Sequence, residues 1–279
     1  MRPILRASVV ALVFVATVCA QQAKPEPSTL PEILHRMENA SLAKRDAAFD
    51  ELMTMASEDE ANGERFAGTS SLNGFLVRHP DHADQIKLAL INLLIRENYL
   101  FIEDKNPPSY DEWDTDHYAQ LIDVVAELDD DRAIPALVGA MTAGAMASGA
   151  LLKYGDKALK SVLGQLKNQN ELVRAEALEL SIKLLGKRND PISRARIREL
   201  IRSSLTDPGS TVRSSAVQAI ECLGDRNDFL PTLEKIAKTD PVHFRGRADD
   251  GVDGDQFYPV RFEARRVLQD IRENSVCAH

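Results

Sequence analysis

Glu171-Leu-Val-Arg-Ala-Glu-Ala-Leu-Glu-Leu180, Ser210-Thr-Val-Arg-Ser-Ser-Ala-Val-Gln-Ala-Ile220 and Tyr258-Pro-Val-Arg-Phe-Glu-Ala-Arg-Arg-Val-Leu268 are three variants of one phrase. Each opens with Val-Arg and continues with small or apolar residues three or four apart, the spacing of a helix face. The Val-Arg pairs begin at 173, 212 and 260, so the steps are 39 and 48 residues. Shorter helical stretches precede them at Ala158 to Leu166, Ile192 to Leu205 and Phe229 to Ala237. The last two of these end alike, in Thr206-Asp207-Pro208 and Thr239-Asp240-Pro241. A proline just past a helix cannot continue it, so both phrases mark a stop. The unit is helix, tight turn, helix, with a period near 35 to 40 residues, and self-similarity at such a period signals stacked units that share one core.

Farther toward the N-terminus the repeat decays into plain helical periodicity. Leu30 to Asn39 pairs with Leu42 to Met55, Glu64 to Val77 pairs with Asp81 to Tyr99, and Asp111 to Leu128 follows. Ala133 to Leu152 is uncharged over 20 residues, the length of a membrane span, but it holds Pro135, Gly139, Gly144 and Gly149 and reads as two short, closely packed helices. The expectation is an all-α chain, an α-solenoid of about six antiparallel helix pairs.

The phrase Leu128-Asp-Asp-Asp-Arg-Ala-Ile-Pro-Ala-Leu137 and its second copy, Leu223-Gly-Asp-Arg-Asn-Asp-Phe-Leu-Pro-Thr-Leu233, resemble the Leu-Gly-Asp-x-Arg-Ala-x-Pro-Ala-Leu phrase of HEAT repeats. They resemble above all the short bacterial HEAT-like units also found in phycobilisome lyases. Asp129 replaces the glycine in the first copy, and Asn227 and Asp228 replace Arg-Ala in the second. The resemblance covers 118–274. It implies a HEAT-like superhelix and a ladder in which an acidic residue stands six positions before each repeat arginine. Asp207 with Arg213 and Asp255 with Arg261 fit this spacing, and Asn168 with Arg174 fits with an amide in place of the acid. The role it implies for these arginines is structural.

At the N-terminus, Arg2 and Arg6 precede an apolar run from Ala7 to Val18, and Val18-Cys19-Ala20 supplies a small residue before Gln21. This reads as a signal peptide over 1–20, followed by a tether over 21–31 rich in Gln, Pro and Ser. The expected location is periplasmic or secreted, with no transmembrane span after cleavage. Residues 32–117 then form degenerate helical repeats with an acidic loop, 118–274 the HEAT-like repeats, and 275–279 a tail. The net charge of −9 argues against nucleic acid as a partner, since that binding wants a basic face.

Two insertions carry the candidate contacts. Pro208 to Val212 is four residues, whereas Pro241 to Val260 is nineteen, so about 15 extra residues sit in the last turn, at 242–257. They include His243, Phe244, Asp249, Asp250, Asp253 and Asp255. Three readings stay open: a protein-contact loop, a Ca²⁺ site of several oxygens with glycines at the bends, and a solvated turn. The other insertion, Glu103 to His117, holds Tyr110 and Trp113, the only tryptophan. It is either an exposed anchor for a partner or a loop tucked back on the helices. His79-Pro-Asp-His82 has metal-like spacing, but Pro80 keeps both histidines from one helical turn, and Asp81 reads as a helix N-cap. Cys222 and Cys277 remain once Cys19 leaves with the signal. They are a bridge, or one buried and one exposed thiol.

The residues carry no nucleophile elbow, zincin motif or phosphate loop, so no catalytic, cofactor or metal residues are assigned. The expected function is an exported scaffold or adaptor binding a protein of unknown identity through a concave face or the inserted loops. The alternatives are a Ca²⁺-dependent envelope protein and a HEAT-like lyase-type enzyme.

Overall fold

The computed structural model describes residues 28–61, 71–100, 115–143, 145–223, 225–245 and 256–273. Several helices start where a side chain or a proline resolves the unpaired amides of the first turn. At α1 (Leu30–Asn39), Thr29 and Glu32 form a reciprocal capping box. At α9 (Glu171–Gly186), Asn170 accepts the Leu172 amide at 2.9 Å. At α10 (Pro191–Ser204), Asp190 accepts the amides of Ile192 and Ser193, both at 2.9 Å, ahead of a first-turn proline. The remaining helices are α2 (Leu42–Ala61), α3 (Ser71–Arg78), α4 (Pro80–Asn98), α5 (Thr115–Glu127), α6 (Ile134–Gly139), α7 (Ala145–Tyr154), α8 (Asp156–Gly164), α11 (Ser210–Glu221), α12 (Leu230–Thr239) and α13 (Pro259–Arg272). Two-residue strands, β1 (Phe244–Arg245) and β2 (Gln256–Phe257), pair antiparallel between α12 and α13.

Helix α2 runs on to Ala61 because no glycine or proline interrupts it after Met55. Asp81 lies within the first turn of α4, not at its cap. The cap position belongs to His79, whose ring packs on Phe75 with centroids 4.3 Å apart. Proline at the first helical position shifts the boundary back by two residues relative to the sequence expectation.

Helices α5, α7, α9, α11 and α13 touch in succession, and so do α4, α6 and α8. Helix α10 packs on α9 and α11, and α12 on α13. At the N-terminal end α1 packs on α2 and α4, α2 on α3, and α3 on α4. A single apolar cluster runs from Ile33 to Ile271, so the N-terminal helices and the repeats share one core. Among the described residues no helix is long and apolar enough to cross a membrane.

The junction between the N-terminal helices and the repeats is polar and buried. Arg45 of α2 donates to Glu97 of α4 at 3.1 and 3.4 Å and to the Ala40 carbonyl at 3.1 Å. Glu97 is 1% exposed. Burial pushes its carboxyl above the usual range, and Arg45 opposes that only in part. His117 of α5 lies 3.3 Å from an Asp46 oxygen and packs edge-on against Phe49. Asn98 accepts the Tyr118 hydroxyl and donates to the Ala136 carbonyl at 2.7 Å, fastening α4 to both α5 and α6.

Gly139 completes this junction. A β-carbon there would lie 2.6 Å from Asn98 Nδ2, and Asn98 cannot swing aside without losing both bonds. Gly139→Ala is expected to cost about 1–3 kcal/mol in urea unfolding. A neutral effect would show that Asn98 is free to move.

Candidate functional site: the arginine ladder and the aromatic platform at its end

The Val-Arg phrases place Arg174, Arg213 and Arg261 at the starts of α9, α11 and α13. Arg174 uses Nη1 on the carbonyls of Asn168 and Gln169, at 2.8 and 3.0 Å. With Nε and Nη2 it reaches forward to both carboxylate oxygens of Asp207, at 3.0 and 2.7 Å. Arg213 repeats the arrangement one unit later. Its Nη1 takes the carbonyls of Asp207 and Pro208, at 2.8 and 3.0 Å. Its Nε and Nη2 take the carboxylate of Asp240, at 2.7 and 3.1 Å. Arg261 then donates from Nε to the Asp240 carbonyl at 2.6 Å.

Each aspartate therefore serves two arginines. Its carboxylate answers the arginine of the unit before, and its backbone carbonyl answers the arginine of its own unit. The six-residue spacing from Asp207 to Arg213 works through that carbonyl. Burial draws the Asp207 carboxyl upward in pKa, but the bonds from Arg174 and from the Gly209 amide outweigh it and hold it below the usual range. The Arg213–Asp240 pair is buried, with side chains 10% and 4% exposed.

Asp240 has no place in the sequence assignment of the ladder, although the repeated Thr-Asp-Pro phrase that stops α10 and α12 marks it as the counterpart of Asp207. Asp255, assigned to Arg261 by spacing, lies outside the described residues. So do Tyr110, Trp113, Asp249, Asp250, Asp253 and Cys277, and the signal and tether residues up to 27. Cys222 stands at the C-cap of α11 and is disulfide-bonded, with its partner outside the described residues. No group of three side chains suited to hold a metal occurs among the described residues.

The insertion is closed at its root. Phe244 pairs with Phe257 and Arg245 with Gln256 across the two strands, so residues 246–255 leave and rejoin the fold at neighbouring points. Beneath the root lies an aromatic platform. The His243 and Tyr258 rings sit 5.4 Å apart, the Arg261 guanidinium lies 3.9 Å over the Tyr258 ring, and the Phe257 and Phe262 rings meet at 5.7 Å. Phe257 is 49% exposed and Phe262 56%. Two phenylalanines half open to solvent and packed on one another form an exposed apolar spot, and the helix carrying Phe262 is pinned by Arg261.

Polar bonds also join α7, α9, α11 and α13: Ser148 bonds Glu176 at 2.6 Å, Ser215 bonds Glu179 at 3.0 Å, and Arg266 bonds Glu221 at 2.7 Å.

Set against family models and curated proteins, the chain matches none.

Proposed function

We propose that the chain is an exported, HEAT-like α-solenoid that acts as a scaffold, docking another protein on the platform of Phe257, Tyr258 and Phe262 at the root of its inserted loop. The observation that carries this reading is the pair of exposed, mutually packed phenylalanines, Phe257 on β2 and Phe262 on a helix held by the arginine ladder. Rigid, part-exposed aromatic residues beside a loop are the usual anchors of protein interfaces. The successive packing of α5, α7, α9, α11 and α13 supports the solenoid. The Arg2/Arg6 and Ala7–Val18 pattern, together with the disulfide at Cys222, supports export into an oxidising compartment.

Because each ring is only about half buried, Phe257→Ala with Phe262→Ala is expected to lower the free energy of unfolding by no more than about 2–3 kcal/mol, leaving the protein folded, while abolishing partner capture. Cross-linking of tagged full-length protein in the exported fraction checks this. Identical partners cross-linked to wild type and double variant would refute the platform as the docking site.

A further inference from the structure

The last member of the arginine ladder departs from the rule the first two obey. Arg174 and Arg213 hold carbonyls of their own turn through Nη1 and close Nε and Nη2 on the aspartate of the following turn. Arg261 follows the same Val-Arg phrase, but no further turn follows α13 among the described residues. Its guanidinium is also rotated. Nε now takes the Asp240 carbonyl, the plane rests on Tyr258, and the Nη1–Nη2 edge meets no carboxylate among the described residues.

An arginine so placed is a prepared receptor. The guanidinium is always charged, and its two terminal nitrogens match the two oxygens of a carboxylate. Stacking on Tyr258 and the bond to Asp240 fix its plane, so little side-chain freedom is lost when a ligand arrives. Phe262 follows it in the chain and packs on Phe257, placing apolar surface beside the charge.

We infer that Arg261 is an open rung: it binds an aspartate or glutamate side chain of the docked protein, carried on a turn with an apolar residue beside it. The two internal rungs are its template, since the Thr-Asp-Pro turns present Asp207 and Asp240 to Arg174 and Arg213 in this manner. The inference rests on the docking reading above and supplies its chemistry, an acidic peptide with an adjoining apolar side chain. The chain's own net charge of −9 gives such a partner no long-range attraction, so recognition depends on the local fork and the aromatic contact.

The test is selection of a displayed library of random peptides on the full-length, disulfide-intact protein. Enriched peptides are expected to carry Asp or Glu next to an aliphatic or aromatic residue. Replacing that acid by its amide, on wild-type protein, should weaken binding about tenfold or more, and Arg261→Ala should do the same. Arg261→Lys should fall between, because it keeps the charge without the fork.

Enriched peptides lacking an acid, or acidic peptides that bind Arg261→Ala as tightly as wild type, would overturn the inference. A gain in affinity when Asp249, Asp250, Asp253 and Asp255 are all changed to Asn would overturn it too, by making the loop the fork's own occupant. Peptides lost by the Phe257/Phe262 double variant but kept by Arg261→Ala would remove the open rung and leave the docking platform standing.

Discussion

Asp240→Ala is expected to lower the free energy of unfolding by about 3–5 kcal/mol, the range found when one member of a buried ion pair is removed. The reason is geometric. Arg213 cannot leave its site, because Nη1 is held by the Asp207 and Pro208 carbonyls and the residue is 8% exposed. Without Asp240 its Nε and Nη2 become buried charged donors with no acceptor. The Val242 amide, which donates to the same carboxylate at 3.1 Å, loses its partner as well. Asp207→Ala should cost less, since Arg174 and Asp207 are 12% and 15% exposed and water replaces part of the lost bond. Equilibrium unfolding in urea separates the two. In a double-mutant cycle, Arg213→Ala added to Asp240→Ala should recover part of the loss. A cost below about 1 kcal/mol for Asp240→Ala would put the pair in the class of surface ion pairs and end its role as a clamp.

Glu97→Ala is the second large effect, about 3–5 kcal/mol by the same mechanism, because it strands Arg45 where α2 meets α4. The pH dependence has a definite sign. The folded protein holds the Glu97 proton more tightly than the unfolded chain does, because burial outweighs Arg45. The contribution is fully present below the unfolded pKa, about 4.3, and is lost as pH rises through the raised folded value. The stability of wild type relative to Glu97→Gln should therefore fall as pH rises across that window. Thermal melts of the two proteins from mildly acidic to neutral pH measure the difference. An increase with pH would show that attraction to Arg45 exceeds the desolvation of the carboxylate. A costly truncation and an unfavourable ionisation are compatible, since the first measures an orphaned Arg45 and the second the burial of a charge.

The two sites differ in how much of them can be read from residues alone. The ladder belongs to the repeat, so its arginines show themselves as recurring Val-Arg phrases and its aspartates as recurring Thr-Asp-Pro stops. What the phrases do not disclose is direction. Asp207 stands six residues before Arg213, yet its carboxylate faces Arg174, 33 residues back, because the turn carries it to the preceding helix. The junction of α2, α4 and α5 has no such copy elsewhere. Arg45 and Glu97 are 52 residues apart, and each looks like an ordinary charge on an amphipathic helix until packing joins them. The all-helical character follows from apolar spacing and stop signals, which are local. The platform is half visible in the sequence: the long step from Val212 to Val260 marks the insertion and points to His243 and Phe244, but Phe257 and Phe262 carry the exposed surface. Strand pairing at the root brings residues 244 and 257 together, and no short-range pattern announces a ladder two residues long.

That two-residue clasp uncouples the length of the insertion from the helices on either side. Its ends meet at Phe244 and Phe257 whatever lies between, so the segment from 246 to 255 can be lengthened or exchanged at little thermodynamic cost. Each doubling of a flexible loop adds only about 0.6 kcal/mol of closure entropy, while α12 and α13 keep their register through Asp240 and Arg261. The site behaves as a cassette. A foreign segment grafted between Arg245 and Gln256 would inherit a fixed point of display.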